Sequence, residues 1–362
     1  MRIRAAVLRG ASAAYSLEDL ELAPPGPGEV RVRVAGAGMC HTDQLPRIGL
    51  ADVPIVCGHE GSGVVDAVGE GVSRLAVGDH VVLSFDSCGR CRPCVQGAPA
   101  YCDTFIDRNL TGRRPDGTSS LVDAVGGHVG GRWFGQSSFA THCLATERNA
   151  VKVDPSLPLE LLGPLGCGVQ TGAASILVAM KVRAGSSLVV FGAGAVGLSA
   201  VMAAAIAGAA TVVAVDLHQH RLDLAAELGA THVVLGDTPD LLESIRDLTD
   251  GGADFSFDTT GVPHVMLHAL GCLRMTGVCG YVGVQHGTLE LDDMALVGKT
   301  VLGIIEGGAD PQRFIPVMID HWRAGRFPFD RLVETFPLDQ IAAAEQSSLA
   351  GGTIKPVLIP ER

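Results

Sequence analysis

A glycine-rich turn between an apolar strand and a helix constrains the fold of this 362-residue chain more than any other feature. The apolar run Leu188–Phe191 has the length of a buried strand, and three closely spaced glycines follow it at once. A second apolar run ends at Asp216, about 20 residues after the glycines, as the dinucleotide-binding fingerprint requires. In that fingerprint the glycines allow a tight turn and close approach to a pyrophosphate, and the acidic residue binds a ribose hydroxyl. The predicted residues for binding NAD here are Gly192, Gly194, Val196, Gly197, Asp216 and Arg221.

Strands and helices continue to alternate after this unit. The expected strands cover residues 231–235, 253–258 and 278–284, and the expected helices lie near 239–248 and 262–274. This alternation predicts a parallel, doubly wound sheet. The charge-free run 195–215 has the length of a membrane span, but its glycines and its β-branched end favour a helix followed by a buried strand.

The segment from Cys40 to Glu60 has the residues of a metal site. It opens with a thiol and closes with His59 and a carboxylate, and thiolate and imidazole are ligands that zinc prefers. A catalytic zinc needs three protein ligands, and Cys167, just before the nucleotide-binding unit, is the best third candidate. Thr42 could contact an oxygen at the metal, and Asp43 could accept a hydrogen bond from the imidazole. Each residue alone is more often a core residue, but together they favour a catalytic zinc site.

Four further cysteines form a compact group within residues 86–103: Cys88, Cys91, Cys94 and Cys102. Their spacing suits a closed tetrahedral zinc site of the structural type. Disulfides are one alternative, but the N-terminal residues have no apolar stretch typical of a signal peptide, which favours a reducing cytoplasm. A nucleic-acid zinc module is another, and the net charge of −12 disfavours it. We therefore expect two zinc ions per chain in a cytoplasmic protein that binds neither nucleic acid nor membrane.

Two other segments carry structural expectations. Residues 103–137 are polar and glycine-rich without periodicity, which predicts a long surface loop. Residues 299–305 are apolar and strand-like, which predicts an edge strand of the cofactor domain. Because an unpaired apolar edge favours pairing with a second copy, we expect a homodimer or homotetramer.

With these motifs established, the chain resembles the zinc-containing medium-chain alcohol dehydrogenases nearly from end to end. The segment Gly58-His59-Glu60-x2-Gly63-x5-Gly69-x2-Val72 fits the family's zinc signature, and the four-cysteine group matches its structural zinc loop. The chain looks most like the aryl- (benzyl-) alcohol dehydrogenases. That finer resemblance rests on Cys40-His41-Thr42-Asp43, Phe134-Gly135-Gln136-Ser137-Ser138-Phe139, Gly166-Cys167-Gly168-x2-Thr171-Gly172 and Lys355-Pro356.

The resemblance implies an α/β fold with a GroES-like, mostly β catalytic domain and a Rossmann cofactor domain. The catalytic domain would comprise residues 1–168 and 305–362, with the structural zinc lobe at 86–103, and the cofactor domain residues 169–304. The family roles would then fall on particular residues: catalytic zinc on Cys40, His59 and Cys167, a place behind the metal on Glu60, support of His59 on Asp43, proton transfer on Thr42, and the cofactor's pyrophosphate on Lys355.

The implied activity is reversible oxidation of primary alcohols, aromatic or other bulky apolar ones, to aldehydes with hydride transfer to NAD. Phe85, Phe139 and Ile305 are candidates for the substrate pocket, although each could equally be a core residue. One position departs from the family pattern, because the usual outer proton acceptor is replaced by Leu45. His41 is the nearest titratable substitute, and it could serve as a base or as a pyrophosphate contact.

Two other functions remain open at this point. A thiol-adduct-dependent formaldehyde dehydrogenase would need basic groups for an acidic thiol, and Arg108, Arg113, Arg114 and Arg132 could supply them. A non-catalytic nucleotide-binding protein on a dehydrogenase fold is the other possibility, because fold does not determine function. The complete set of metal ligands argues against this second alternative.

Overall fold

The structure is a computed structural model that describes residues 1–360, and these divide into two compact units. The first unit is formed by Met1–Gly168, Asp310–Val317 and the chain from Asp330 onward. The second is formed by Val169–Ala309 and Met318–Phe329. The resemblance implied that the chain re-enters the first domain once, at residue 305. In the structure the chain re-enters the first unit at Asp310, passes back to the second unit at Met318, and enters the first unit again at Asp330.

Strands make up most of the first unit and alternate with helices in the second. The strands are β1 (Arg2–Leu8), β2 (Tyr15–Leu22), β3 (Glu29–Gly38), β4 (Ile55–Val56), β5 (Glu60–Val68), β6 (His80–Leu83), β7 (Leu121–Val122), β8 (His128–Val129), β9 (His142–Thr146), β10 (Ala150–Val153), β11 (Ser187–Phe191), β12 (Thr211–Asp216), β13 (His232–Leu235), β14 (Ala253–Asp258), β15 (Leu273–Tyr281), β16 (Thr300–Gly303), β17 (Val333–Pro337) and β18 (Lys355–Ile359). The α-helices are α1 (Arg92–Val95), α2 (Phe105–Asn109), α3 (Gly168–Ala174), α4 (Ala195–Ala207), α5 (Gln219–Glu227), α6 (Leu241–Leu248), α7 (Pro263–Gly271), α8 (Pro311–Arg323) and α9 (Ile341–Leu349).

Strand β3 organises the larger sheet of the first unit. The order in this sheet is β10-β6-β5-β3-β18-β17, and β9 also pairs with β3. Val30, Val32 and Val34 are buried and alternate with two more exposed arginines, which is the predicted period of two. β3 runs antiparallel to β5 in a register that sets Gly38 opposite Glu60. The residues that follow β3 and those that precede β5 therefore leave the sheet side by side. The other sheet of this unit has the order β4-β1-β2-β7-β8.

The second unit contains a parallel sheet in the order β13-β12-β11-β14-β15-β16. Strand β11 is buried at every position, as expected for a central strand with both faces covered. The order of the strands reverses between β11 and β14, and sheets of this kind bind ligands at that point, outside the carboxyl ends of the strands. The doubly wound sheet predicted from the sequence is confirmed.

Residues 103–137 are more ordered than their sequence indicated. They contain α2, β7, β8 and the 3-10 turn Trp133–Gly135, and β7 extends the sheet beyond β2. Arg132 and Trp133 are buried at its end. The prediction of a surface loop was therefore wrong for these short elements and for the buried residues at 132 and 133. Isolated buried side chains in irregular backbone produce no periodic pattern, so the sequence did not reveal them.

No helix among residues 1–360 has both the length and the apolarity needed to cross a bilayer. The charge-free run 195–215 forms α4 and most of β12, as predicted.

Candidate active site and metal centres

Four side chains from three separate segments of the first unit converge on one point. Cys40 lies two residues beyond β3, His59 directly precedes β5, Glu60 begins that strand, and Cys167 directly precedes α3. One ligand atom from each lies within 4.8 Å of all the others. The structure therefore brings together the three residues predicted for the catalytic metal and places Glu60 beside them.

The imidazole of His59 is oriented as a metal ligand. Its Nδ1 lies 2.8 Å from Asp43 Oδ1, and because an ionised carboxylate only accepts hydrogen bonds, the proton belongs on Nδ1. The lone pair is then on Nε2, which is buried and has no hydrogen-bond partner. Contact with the Cys167 thiol holds the pKa of Cys40 well below its ordinary value, although burial opposes this shift. An orphaned lone-pair nitrogen beside two thiols, one of them predisposed to ionise, fits zinc with three protein ligands.

The carboxylate of Asp43 connects several parts of this site. Its Oδ1 also accepts hydrogen bonds from Gly58 N at 3.0 Å and from the indole Nε1 of Trp133 at 3.1 Å. Its Oδ2 accepts one from Cys40 N at 3.1 Å. The expected contact with His59 is therefore present, together with three others that the sequence did not indicate.

The segment 133–138 supports His59 directly. The Phe134 ring stacks on the imidazole with centroids 4.4 Å apart and planes inclined by 26°. Gln136 Nε2 donates to the His59 carbonyl oxygen at 2.8 Å. Phe134 and Ser137 have φ angles of 49° and 58°, in the left-handed region that bulky residues rarely occupy. Sequence reasoning used this segment only for the family resemblance. Its signal was the pair of long side chains with N–H donors, an indole and an amide, separated by Phe134 and Gly135 and followed by two serines.

Glu60 has a buried counter-ion. Lys355 Nζ lies 2.8 and 2.9 Å from the two Glu60 carboxylate oxygens and donates to Met39 O at 2.9 Å. Gly168 N also donates to Glu60, at 2.9 Å. Burial lowers the pKa of Lys355, but the facing carboxylate outweighs burial and holds that pKa above its ordinary value. The structure thus pairs Lys355 with Glu60, and its contact with a pyrophosphate stays a prediction.

The other four predicted metal ligands form a second cluster. Cys88, Cys91, Cys94 and Cys102 place their sulfur atoms within 4.8 Å of one another, and none of the cysteines in residues 1–360 forms a disulfide. Backbone N–H groups of residues 90 and 91 point at Cys88 Sγ at 3.5 and 3.3 Å. Four thiolates with backbone donors fit a closed structural zinc site.

The residues predicted for proton transfer lie on the 3-10 helix His41–Ile48. His41 is exposed, Thr42 is half-buried and Leu45 is buried. Gln44 Nε2 donates to Glu345 Oε1 at 2.7 Å, which connects this helix to α9. Solvent therefore reaches His41 and not Leu45.

The glycine-rich turn has the geometry that a dinucleotide phosphate requires. Gly192 has a φ of 91°, and a side chain on Gly197 would overlap the Gly192 carbonyl oxygen. Gly194, at the N-cap of α4, has open space where a Cβ would lie, and no side chain caps the helix there. The first N–H groups of α4 and its dipole are thus available to an anion. Asp216 ends β12 and accepts a hydrogen bond from Ala193 N at 2.7 Å. The other predicted residues lie in the first turns of two helices, Val196 in α4 and Arg221 in α5.

Comparison with known proteins agrees with this geometry. The alcohol dehydrogenase GroES-like domain matches residues 26–156, and the zinc-binding dehydrogenase family matches residues 195–321. The geraniol dehydrogenase of Castellaniella defragrans is 46% identical to this chain over 98% of the chain and 97% of its own length. The chain belongs to the zinc-containing medium-chain alcohol dehydrogenases.

Solved structures of similar alcohol dehydrogenases match both units. Benzyl alcohol dehydrogenase from Acinetobacter calcoaceticus is 43% identical, with a TM-score of 0.95 and full coverage, 100% of each chain. An alcohol dehydrogenase zinc-binding domain protein from Burkholderia ambifaria is 47% identical, with a TM-score of 0.97 and 100% coverage of both chains. The predicted fold class, a GroES-like domain with a Rossmann domain, is confirmed, and this alcohol dehydrogenase has ligands for two zinc ions.

The aromatic residues proposed for this dehydrogenase's substrate pocket are packed in a core. Phe85 packs on Phe105 with ring centroids 5.7 Å apart, and Phe139 meets Tyr15 edge-on at 6.1 Å. Phe139 is fully buried, which matches the core position that the sequence left open for it. Ile305, in the second unit, is 42% exposed.

Proposed function

We propose that this protein oxidises primary alcohols to aldehydes, reversibly, with NAD as the hydride acceptor. The observation that carries the proposal is the convergence of Cys40, His59 and Cys167 around a buried imidazole nitrogen that has no partner. Bound there, zinc supplies the Lewis acidity that lowers the pKa of an alcohol hydroxyl, and the nicotinamide supplies the redox chemistry. The test is a metal assay, expected to find two zinc ions per chain, combined with alcohol-dependent formation of NADH. Two bound zinc ions without that activity would favour the non-catalytic alternative.

The protein's own residues would orient the reactants and move the proton. Asp43 keeps the His59 proton on Nδ1 and thereby directs the lone pair of Nε2 at the metal. Thr42 would pass the alcohol proton outward, and solvent-exposed His41 would receive it. If His41 is this base, His41→Gln should lower kcat by about 100-fold, a usual contribution of a general base. An unchanged kcat with a raised KM for NAD would instead assign His41 to the pyrophosphate.

Asp216 supports NAD over NADP. It ends β12 beside the glycine-rich turn, where it would accept hydrogen bonds from the adenosine ribose and repel a 2′-phosphate. Asp216→Ser should raise KM for NAD about 10- to 100-fold, the value of a charge-assisted hydrogen bond. The same change should reduce the ratio of kcat/KM for NAD to kcat/KM for NADP. Equal kcat/KM for NAD and NADP in the unmodified enzyme would contradict the proposal.

We infer that the substrates are bulky apolar primary alcohols of the kind named for the similar proteins. Geraniol and benzyl alcohol share a primary hydroxyl on a carbon attached to an unsaturated carbon. Matched pairs test this feature, namely geraniol against citronellol and benzyl alcohol against 2-phenylethanol, with ethanol as the small reference. We expect higher kcat/KM for the first member of each pair, and a preference for ethanol would reject the inference.

The thiol-adduct-dependent formaldehyde dehydrogenase receives less support from the structure. Arg108 Nη1 lies 2.9 Å from Asp86, and Arg114 Nη2 lies 2.8 Å from Glu29. Arg132 is buried. These three charges are therefore engaged inside the first unit. Arg113, the fourth candidate, has a side chain that is 43% exposed and lies 3.7 Å from Asp52, so one of the four basic groups is open to an acidic thiol. Formaldehyde oxidation that appears only when glutathione is added would restore this alternative.

A further inference from the structure

Trp133 makes a polar contact that its packing alone does not require. The side chain is fully buried, and its indole nitrogen, the one hydrogen-bond donor of that side chain, points at Asp43 Oδ1. Its backbone N–H donates to Ser137 Oγ at 2.8 Å, and Ser137 Oγ donates to Val56 O at 2.6 Å. The indole is thus held at both the ring and the backbone.

Three donors converge on the one carboxylate oxygen that orients His59. Besides the His59 Nδ1–H group, Asp43 Oδ1 accepts from Gly58 N and from Trp133 Nε1. The terminal torsion of a carboxylate has broad minima, so a carboxylate with few partners rotates easily. The indole reduces this freedom because it approaches Asp43 from a different chain segment.

Phe134 restrains the same imidazole from its face. Its ring stacks on His59, and the Trp133 and Phe134 rings meet at 70° with centroids 5.4 Å apart. Successive side chains of an extended strand point to opposite faces. The backbone here is not an extended strand, because Phe134 has a φ of 49°, in the left-handed region. The Trp133 and Phe134 rings can therefore both face the His59 site although they are consecutive in the chain. A strained conformation of this type persists only where the surroundings determine it.

We propose that Trp133 and Phe134 are positioning residues for the catalytic metal. The indole fixes the Asp43 carboxylate, which keeps the His59 proton on Nδ1, and the Phe134 ring fixes the plane of the imidazole. Together they present Nε2 to the metal in the binding orientation before the metal arrives. The ordinary alternative is that both rings only fill the core of the first unit.

Trp133→Phe separates these roles, because it keeps an aromatic ring and removes the donor. We expect the affinity of the catalytic site for zinc to fall by about 10-fold, the lower end of the usual effect of removing such an indirect contact. Chelator competition on the zinc-loaded protein measures it, and the four-cysteine site is an internal control whose affinity should not change. Trp322→Phe, at the chain's other tryptophan, is the matched control for the substitution itself.

Substitution of cobalt for zinc provides an absorption spectrum that reports the arrangement of the metal ligands. A loss of core packing that leaves the ligands in place would not change that spectrum. The visible bands of cobalt at the Cys40, His59 and Cys167 site should shift in Trp133→Phe and in Phe134→Leu, and should stay in place in Trp322→Phe. Unchanged bands, or a parallel loss of affinity at both metal sites, would show that the two rings only fill the core. Metal binding is measured here without alcohol or NAD, so the result does not depend on the proposed reaction.

Discussion

Lys355 holds a charge where an unpaired charge is costly. Its ammonium group is buried, and its contacts with both oxygens of Glu60 and with Met39 O satisfy it. A buried ion pair of this kind adds little net stability against an apolar replacement, but loss of one partner leaves the other charge buried and uncompensated. Within residues 1–360, the Gly168 N–H group would then be the remaining hydrogen-bond donor to the Glu60 carboxylate.

Lys355→Met should therefore lower the free energy of unfolding by about 3–5 kcal/mol. The double variant Glu60→Gln/Lys355→Met should recover part of this loss because no charge remains unpaired. Urea denaturation of the zinc-loaded protein measures both changes. Lys152→Met, which breaks an ion pair whose lysine is 59% exposed, is the control and should cost less than about 1 kcal/mol. Equal losses in Lys355→Met and Lys152→Met would contradict this account.

This ion pair marks the limit of what could be predicted about the site from the sequence. Cys40, His59 and Cys167 were predictable because zinc chemistry restricts the residue types, and Asp43 because it lies beside a ligand. Lys355 is 295 positions from Glu60, and their contact depends on β18 lying next to β3. No local pattern encodes that neighbour relation.

At the scale of elements, the segment 103–137 is anchored to β3 by charge. Arg114 donates to both carboxylate oxygens of Glu29 at 2.9 and 2.8 Å, and Arg132 Nη1 lies 3.6 Å from the same group. Burial raises the pKa of Glu29, but the hydrogen bond from Arg114 and the charge of Arg132 outweigh it, so the pKa lies below its ordinary 4.5. The sequence predicted a loop here because ion pairs between residues far apart in the chain produce no periodic pattern.

Acid should weaken this anchor. Because the pKa of Glu29 is lower in the folded than in the unfolded chain, ionised Glu29 contributes its full stability above pH 4.5 and loses it as the pH falls through the folded value. Glu29→Gln should flatten the decline of stability below pH 4.5, as measured by thermal unfolding across a pH series. Glu70→Gln, at an exposed glutamate, should leave the decline as it is. If both variants follow the same curve, Glu29 does not provide the anchor.

The two metal clusters should fail in different ways. Cys94→Ser opens a closed four-thiol site, so it should lower the temperature of unfolding and cause loss of folded protein. Cys167→Ser should abolish activity while the fold survives, because the three-ligand site adds chemistry more than structure. Calorimetry and an activity assay on both variants distinguish them. Loss of activity in Cys94→Ser at an unchanged unfolding temperature would reverse the two roles.

At the scale of the whole molecule, association of copies is expected at one edge of the parallel sheet. Strands β13 and β16 are its two edges, and both are partly exposed. Val301 on β16 is 38% exposed, and the nearby Val297 is 47% exposed. An apolar edge of this kind supports pairing with a second copy across a two-fold axis.

Val301→Lys should then convert a homodimer into monomers, because it places a charge in the paired edge. Val233→Lys, on the opposite edge strand and at an equivalent exposure of 37%, is the matched control and should leave the assembly intact. Light scattering at micromolar concentration reads the mass of each. Dissociation by the β13 substitution alone would move the interface to the other edge.

The position of β18 between β3 and β17 has a consequence for how the protein is made. The nascent chain emerges from its N-terminus, yet β3 and Glu60 must wait for a strand that follows the whole second unit. At about 5–20 residues per second, synthesis of the 295 positions from Glu60 to Lys355 takes roughly 15–60 s. During this time β3 lacks its partner strand β18, and the Glu60 carboxylate lacks its counter-ion Lys355. Ribosome-arrested chains that stop before β18 should therefore be cut by protease within residues 1–168, and chains extended past β18 should resist.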